Sequence, residues 1–228
     1  MIAASWQWAS RRILFYLTVR KMHRLCNRSG AKENELPENK PVSAGTLFAV
    51  VGPSGAGKDT LIDLARQLLE GDDNWHFARR HITRGANSVG ENHINVTERE
   101  FDALTVQNAF VLHWQAHGLH YGIAQGIRTL TEQGVNVVVN LSRGAIGDAV
   151  ERFPHVHVIH VTASQSIIEE RLRQRGRETL LDIEERMSRS VGDLGTIAPV
   201  SEIINDREVS VGVEQFMTIL SGKNAQAA

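Results

Sequence analysis

The run Gly52-Pro53-Ser54-Gly55-Ala56-Gly57-Lys58-Asp59-Thr60 constrains this chain more than any other stretch. Before it, Leu47 to Val51 is continuously apolar, the pattern of a strand covered on both faces. After it, Leu61, Leu64, Ala65, Leu68 and Leu69 recur at helical spacing until Gly71 supplies a stop. The spacing G-x-x-x-x-G-K between a strand and a helix lets backbone N–H groups turn inward around phosphate oxygens, while the lysine reaches the terminal phosphates. The helix start adds the positive end of its dipole. A chance glycine turn would not require both flanks. The nine residues from Gly52 to Thr60 are therefore expected to cradle the phosphates of ATP.

From Thr46 onward, strand and helix patterns alternate, which predicts an α/β, three-layer fold around a central parallel sheet. Residues 76 to 84 read as a second strand and 98 to 108 as a helix. A helix over 123 to 133 ends at Gly134, and between these elements lies a loop-rich stretch carrying His93, His113, His117 and His120. Residues 135 to 139 read as a buried strand, 143 to 153 as a helix and 156 to 161 as a strand. Ser164 is a good N-cap for the next helix. A helix over 183 to 191, a strand at 203 to 204 and a helix over 211 to 220 complete the series.

Residues 1 to 44 differ: a short apolar run, Ile13 to Val19, lies between basic pairs and is followed by polar residues without periodicity. They read as a disordered or dispensable extension, with a kinase domain over 45 to 222 and a tail over 223 to 228. No stretch reaches the roughly 20 apolar residues of a membrane span. A net charge of −1 gives no bulk reason for a nucleic-acid or membrane partner, so any anion site must be local. Cys26 is the single cysteine, which excludes an internal disulfide and fits a reduced, cytoplasmic compartment. The sequence leaves room for a homodimer and does not argue for one.

Asp59 stands where this loop normally has a Ser or Thr whose hydroxyl holds Mg²⁺, with Thr60 next. A carboxylate is a hard oxygen ligand, so Asp59 and Thr60 are the expected metal side. The strand ending at Val139 delivers the uncharged Asn140 and Ser142 where an acidic residue is usual, and Asp59 is expected to restore that charge. Arg80 and Arg84 would point the same way along one strand, and guanidinium forks suit an acceptor phosphate. Arg143 lies just past the carboxyl end of a central strand, where open parallel sheets bind ligands.

With the loop, Ile82-Thr83-Arg84, Glu91-Asn92-His93-Ile94, Gly118-Leu119-His120-Tyr121-Gly122, Val139-Asn140-Leu141-Ser142-Arg143 and Arg175-Gly176-Arg177-Glu178, the chain resembles the guanylate kinase superfamily over about residues 46 to 221. Within it the chain is similar to the ribose 1,5-bisphosphate phosphokinases of phosphonate utilisation, whose loop carries the same Gly-Lys-Asp variant. The resemblance implies a guanylate kinase-like fold with a small acceptor-binding insert and an arginine lid. It implies transfer from Mg-ATP to ribose 1,5-bisphosphate, giving 5-phospho-α-D-ribose 1-diphosphate.

It further implies lid roles for Arg171, Arg175 and Arg177, with Arg186 completing the acceptor site and Asn205 on the adenine side. His93 takes the place of a phosphate-gripping tyrosine, and Tyr121 is expected to contact the acceptor. Alignment on Tyr121-Gly122 puts Leu112 where guanylate kinases read guanine with a glutamate. Base donors left without acceptors would cost on the order of 1 to 3 kcal/mol each, which argues for a base-free acceptor. Lys58 and Asp59, with the lid arginines, are the expected catalytic group. The alternatives are a guanylate kinase with unusual base contacts, or a non-catalytic guanylate kinase-like binding module.

Overall fold

The computed structural model describes residues 43–84, 92–175 and 197–222. Strand β1 (Leu47–Val51) leads through the glycine loop into α1 (Lys58–Leu68). There follow β2 (Trp75–Phe77), β3 (His81–Ile82), β4 (Ile94–Asn95), α2 (Glu98–Val106), β5 (Phe110–Ala116), β6 (Leu119–Ala124) and α3 (Gly126–Glu132). Then come β7 (Asn136–Asn140), a 3₁₀ turn (Arg143–Ala145), α4 (Ile146–Arg152), β8 (Val156–Thr162), α5 (Gln165–Arg175), β9 (Val200–Ile204) and α6 (Val209–Leu220).

Five strands form a parallel sheet in the order β2-β7-β1-β8-β9. Every residue of β1 is buried because the sheet is covered on both faces. Leu47, Ala49 and Val51 join Val137, Val139, Val158 and Ile146 on one side. Phe48 and Val50 join Leu61, Ala65, Ile159 and Phe216 on the other. Continuous apolar runs with helices on both faces are what a parallel sheet requires.

A second sheet, β4-β3-β6-β5, forms an insert. Here the expected strand over 76 to 84 breaks in two. β2 ends at Phe77 in the parallel sheet and β3 at His81–Ile82 belongs to the insert, so Ala78, Arg79 and Arg80 bridge the sheets. Period-two alternation cannot run through such a crossing. The argument that Arg80 and Arg84 share a strand face therefore fails.

The expected loop-rich stretch is instead an antiparallel hairpin, with Trp114 opposite Tyr121 and Gln115 opposite His120. It turns at His117 (φ 53°) and Gly118 (φ 70°). Two positive φ values in a two-residue connection match the right-handed twist of the flanking strands. The strand then continues to Ala124, so α3 begins at Gly126 rather than at 123.

α2 opens with a capping box in which the Thr97 side chain accepts from the Glu100 N–H and the Glu100 carboxylate accepts from the Thr97 N–H. Arg152 at the end of α4 donates to the Val111 carbonyl at 3.0 Å and ties β5 to the layer of helices. At α5, the Ser164 carbonyl accepts from Ile167 and Ile168, while its N–H is donated to the Asp206 carboxylate at 2.6 Å. The helix expected over 183 to 191 lies outside the described residues. Among the described residues no helix is long and apolar enough to cross a membrane.

Candidate active site

The loop between β1 and α1 is built on glycine. Gly57, the residue before α1, has φ +93°, a left-handed conformation that side chains resist. A Cβ there would also overlap the side-chain amide of Asn205. Lys58 folds back over the loop, its Nζ donating to the Gly52 and Pro53 carbonyls at 2.8 Å each. The ammonium thus sits over the loop's mouth, within reach of phosphate oxygens held by the backbone.

Beside the loop is a solvent-open cleft. Its walls include Asp59 from the first turn of α1, Asn140 from the end of β7, Arg79 and Arg80 from the link between the sheets, and Asn92 and His93. Asn140 donates from Nδ2 to Asp59 Oδ1 at 2.7 Å. These two residues are 81 apart in the chain and meet because β7 pairs beside β1. Thr60, the other expected metal ligand, is exposed and falls outside the cleft's lining. The phosphate side of the cleft therefore has a carboxylate–amide pair. That donor chemistry fits Mg²⁺, which takes one or two carboxylates plus phosphates and water. Among the described residues no group of three or more His, Cys, Asp or Glu side chains gathers as a metal site.

Arg79 donates to the His93 carbonyl at 2.8 Å, which stitches the sheet link to the strand that follows. His93 is buried, its Nε2 2.7 Å from Asn95 Oδ1. Arg80 lies with its guanidinium carbon 5.5 Å from the centroid of the Tyr121 ring. Tyr121 is itself stacked nearly parallel to Trp114 (6°, centroids 5.3 Å apart) and only 7% exposed. Tyr121 is thus a packing platform behind Arg80. Arg84 and Arg143 are half-buried, the first just past β3 and the second at the start of the 3₁₀ turn. His81 packs edge-on to Phe110, and burial lowers its pKa. A backbone hydrogen bond with Gly122 opposes that shift, and the Arg79 charge adds to it.

Two residues expected to contact nucleotide bond the backbone of the loop. Asn205 is 4% exposed and donates from Nδ2 to the Ala56 carbonyl at 2.8 Å. Arg171 reaches Asn205 O at 2.9 Å and the Gly55 and Ala56 carbonyls at 3.4 Å each. Arg175 closes the described part of α5, while Arg177 and Arg186 lie outside the described residues.

Asp63 and Arg66 line the same cleft and form an ion pair at 2.8 Å, which sequence reading missed. The signal was present, since 59, 63 and 66 fall on one face of α1 at helical spacing.

The guanylate kinase family model matches residues 44–222. The chain belongs to the guanylate kinase family. Ribose 1,5-bisphosphate phosphokinase PhnN of Thiobacillus denitrificans is 42% identical over 184 residues, 81% of this chain and 97% of that protein. The enzyme of the same name from Psychromonas ingrahamii is 41% identical, over 78% of this chain and 91% of that protein. The bifunctional ribose 1,5-bisphosphokinase-thymidine phosphorylase of Roseobacter denitrificans is 40% identical over 78% of this chain, which spans only 26% of that longer protein. The crystal structure of guanylate kinase from Anaplasma phagocytophilum shares the fold, with a TM-score of 0.59, 19% identity and coverage of 81% and 89% of the two chains.

Proposed function

We propose that this protein transfers the γ-phosphoryl group of ATP to ribose 1,5-bisphosphate, giving 5-phospho-α-D-ribose 1-diphosphate and ADP, in phosphonate breakdown. The observation that carries the reading is the Asp59–Asn140 pair at 2.7 Å in a cleft that also presents Arg79, Arg80, Asn92 and His93, its one further acid, Asp63, being paired with Arg66. Leu112 of β5, at the position where a guanine-reading glutamate would stand, is 2% exposed and packed in the core. The phosphokinase names of the 42% and 41% identical relatives support the same acceptor.

In this mechanism an anionic oxygen of the acceptor's 1-phosphate attacks the γ-phosphorus in line. The bond from that phosphorus to the bridging oxygen breaks and the electron pair leaves on ADP. The nucleophile is already ionised near pH 7, so no general base is needed, and catalysis consists of positioning and charge neutralisation. Lys58 holds the β- and γ-phosphates. Arg79, Arg80 and Arg84 take the acceptor's phosphates, as paired guanidinium forks suit. Asp59, with water and phosphate oxygens, would hold Mg²⁺, which supplies Lewis-acid neutralisation of the transferred group.

The deciding experiment is phosphorus NMR of ATP and Mg²⁺ with purified protein and either ribose 1,5-bisphosphate or GMP. A new diphosphate signal with the sugar bisphosphate is expected. Turnover with GMP alone would replace this acceptor with guanylate, and failure to bind ATP would leave a non-catalytic binding module.

A further inference from the structure

The phosphate loop is gripped from two sides. On the inner side, Lys58 bonds the carbonyls at the loop's start, Gly52 and Pro53. On the outer side, the Ala56 carbonyl accepts from Asn205 Nδ2 at 2.8 Å and from Arg171 at 3.4 Å, and the Gly55 carbonyl accepts from Arg171 at 3.4 Å. Arg171 also bonds the main-chain oxygen of Asn205 at 2.9 Å. Asn205 is anchored in turn, its N–H donating to Thr162 O at 2.7 Å. Its side chain is boxed between the Cα of Gly57 and that of Gly212, where added Cβ atoms would overlap it. Ile168 and Leu172, one turn apart on α5, pack against Gly55.

A trans peptide is planar, with its C=O and N–H pointing in opposite directions. A donor that fixes the Ala56 carbonyl outward therefore fixes the Gly57 N–H inward, towards the phosphates. Glycine at 57 leaves that peptide plane free to rotate unless something holds it. Two donors on one carbonyl, from β9's end and from α5, hold it.

We propose that Arg171 and Asn205 are positioning residues that preorganise the phosphate loop through the Ala56 carbonyl, aiming the Gly57 N–H at the nucleotide. The inference depends on the kinase reading only for nucleotide binding and is independent of which acceptor is used. It also couples α5 to the loop, since Asp206, adjacent to Asn205, accepts the Ser164 N–H at the start of that helix.

The test is a double-mutant cycle on ADP binding, measured by calorimetry with the full chain, Mg²⁺ present and no acceptor. Asn205→Ala and Arg171→Lys should each weaken ADP by about fivefold to tenfold, the worth of one well-placed hydrogen bond. The double variant should be less than the product of the two, because both act on one carbonyl. Arg171→Lys lies on a half-buried helix face and keeps the charge, so it reports even if Asn205→Ala does not fold. Unchanged ADP affinity in Arg171→Lys with a fall only in kcat would make Arg171 a contact to the transferred group and overturn the proposal. Fully multiplicative effects on ADP binding would overturn the shared brace.

Discussion

Replacing Asn140 with Asp tests the centre of the site. In the structure the Asn140 amide donates to the Asp59 carboxylate at 2.7 Å. The substitution keeps the shape and turns the donor into a second acceptor. Losing a hydrogen bond to a charged group costs about 1.5 to 3 kcal/mol. Two carboxylates that relax to about 4 Å repel by roughly 4 kcal/mol at an effective dielectric of 20. The cleft opens to solvent, so screening removes much of the second figure, and the net penalty is on the order of 2 to 3 kcal/mol. For a domain of this size that lowers the melting temperature by roughly 4 to 12 °C.

The pH dependence has a definite sign. Repulsion raises the introduced carboxylate's folded pKa above the ordinary Asp value near 3.9, so the repulsive part of the deficit is absent at low pH and grows as pH rises through the raised value. Differential scanning fluorimetry of wild type and Asn140→Asp from pH 4.5 to 8, without and with millimolar Mg²⁺, measures all three quantities. The gap should widen with pH and close with Mg²⁺. A variant that melts with wild type at pH 8 without Mg²⁺ would refute the pairing of residues 59 and 140, and a gap that Mg²⁺ leaves open would separate Asp59 from the metal.

Gly57→Ala pays about 1 to 2 kcal/mol for the left-handed backbone and disturbs the Asn205–Ala56 bond, so ADP affinity should fall at least tenfold by calorimetry. An affinity equal to wild type would mean that the loop is not held as described. Arg79→Ala or Arg80→Ala should raise the KM of the acceptor severalfold while leaving that of ATP unchanged, whereas Lys58→Ala should depress kcat. Equal effects on both substrates would contradict the division between cleft and loop. Burial lowers the pKa of His76, His81 and His157. Keeping them neutral therefore adds stability that is present above about pH 6.5 and lost as pH falls through their lowered folded values. The melting temperature should drop between pH 7 and pH 5, and His157→Gln should flatten that slope; an equal slope in the variant would remove His157 from the account.

The chain's own pattern determined a good deal. The apolar run at Leu47 to Val51, the glycines and Lys58, and the helical spacing after them specify a strand, a phosphate cradle and a helix through local physics alone. The same holds for the parallel sheet, because runs such as Val137-Val138-Val139 are apolar on both faces. Tertiary structure alone decided what depends on long-range pairing. The apparent strand over 76 to 84 breaks between two sheets because Phe77 is claimed by β7 and His81 by β6. The insert's hairpin and the Arg80–Tyr121–Trp114 stack follow from cross-strand register. Asn140 reaches Asp59 only because β7 lies next to β1. That Arg171 and Asn205 bond the Gly55 and Ala56 carbonyls was likewise decided by packing, since a side chain's direction is set by the element it stands on and the neighbours that element meets.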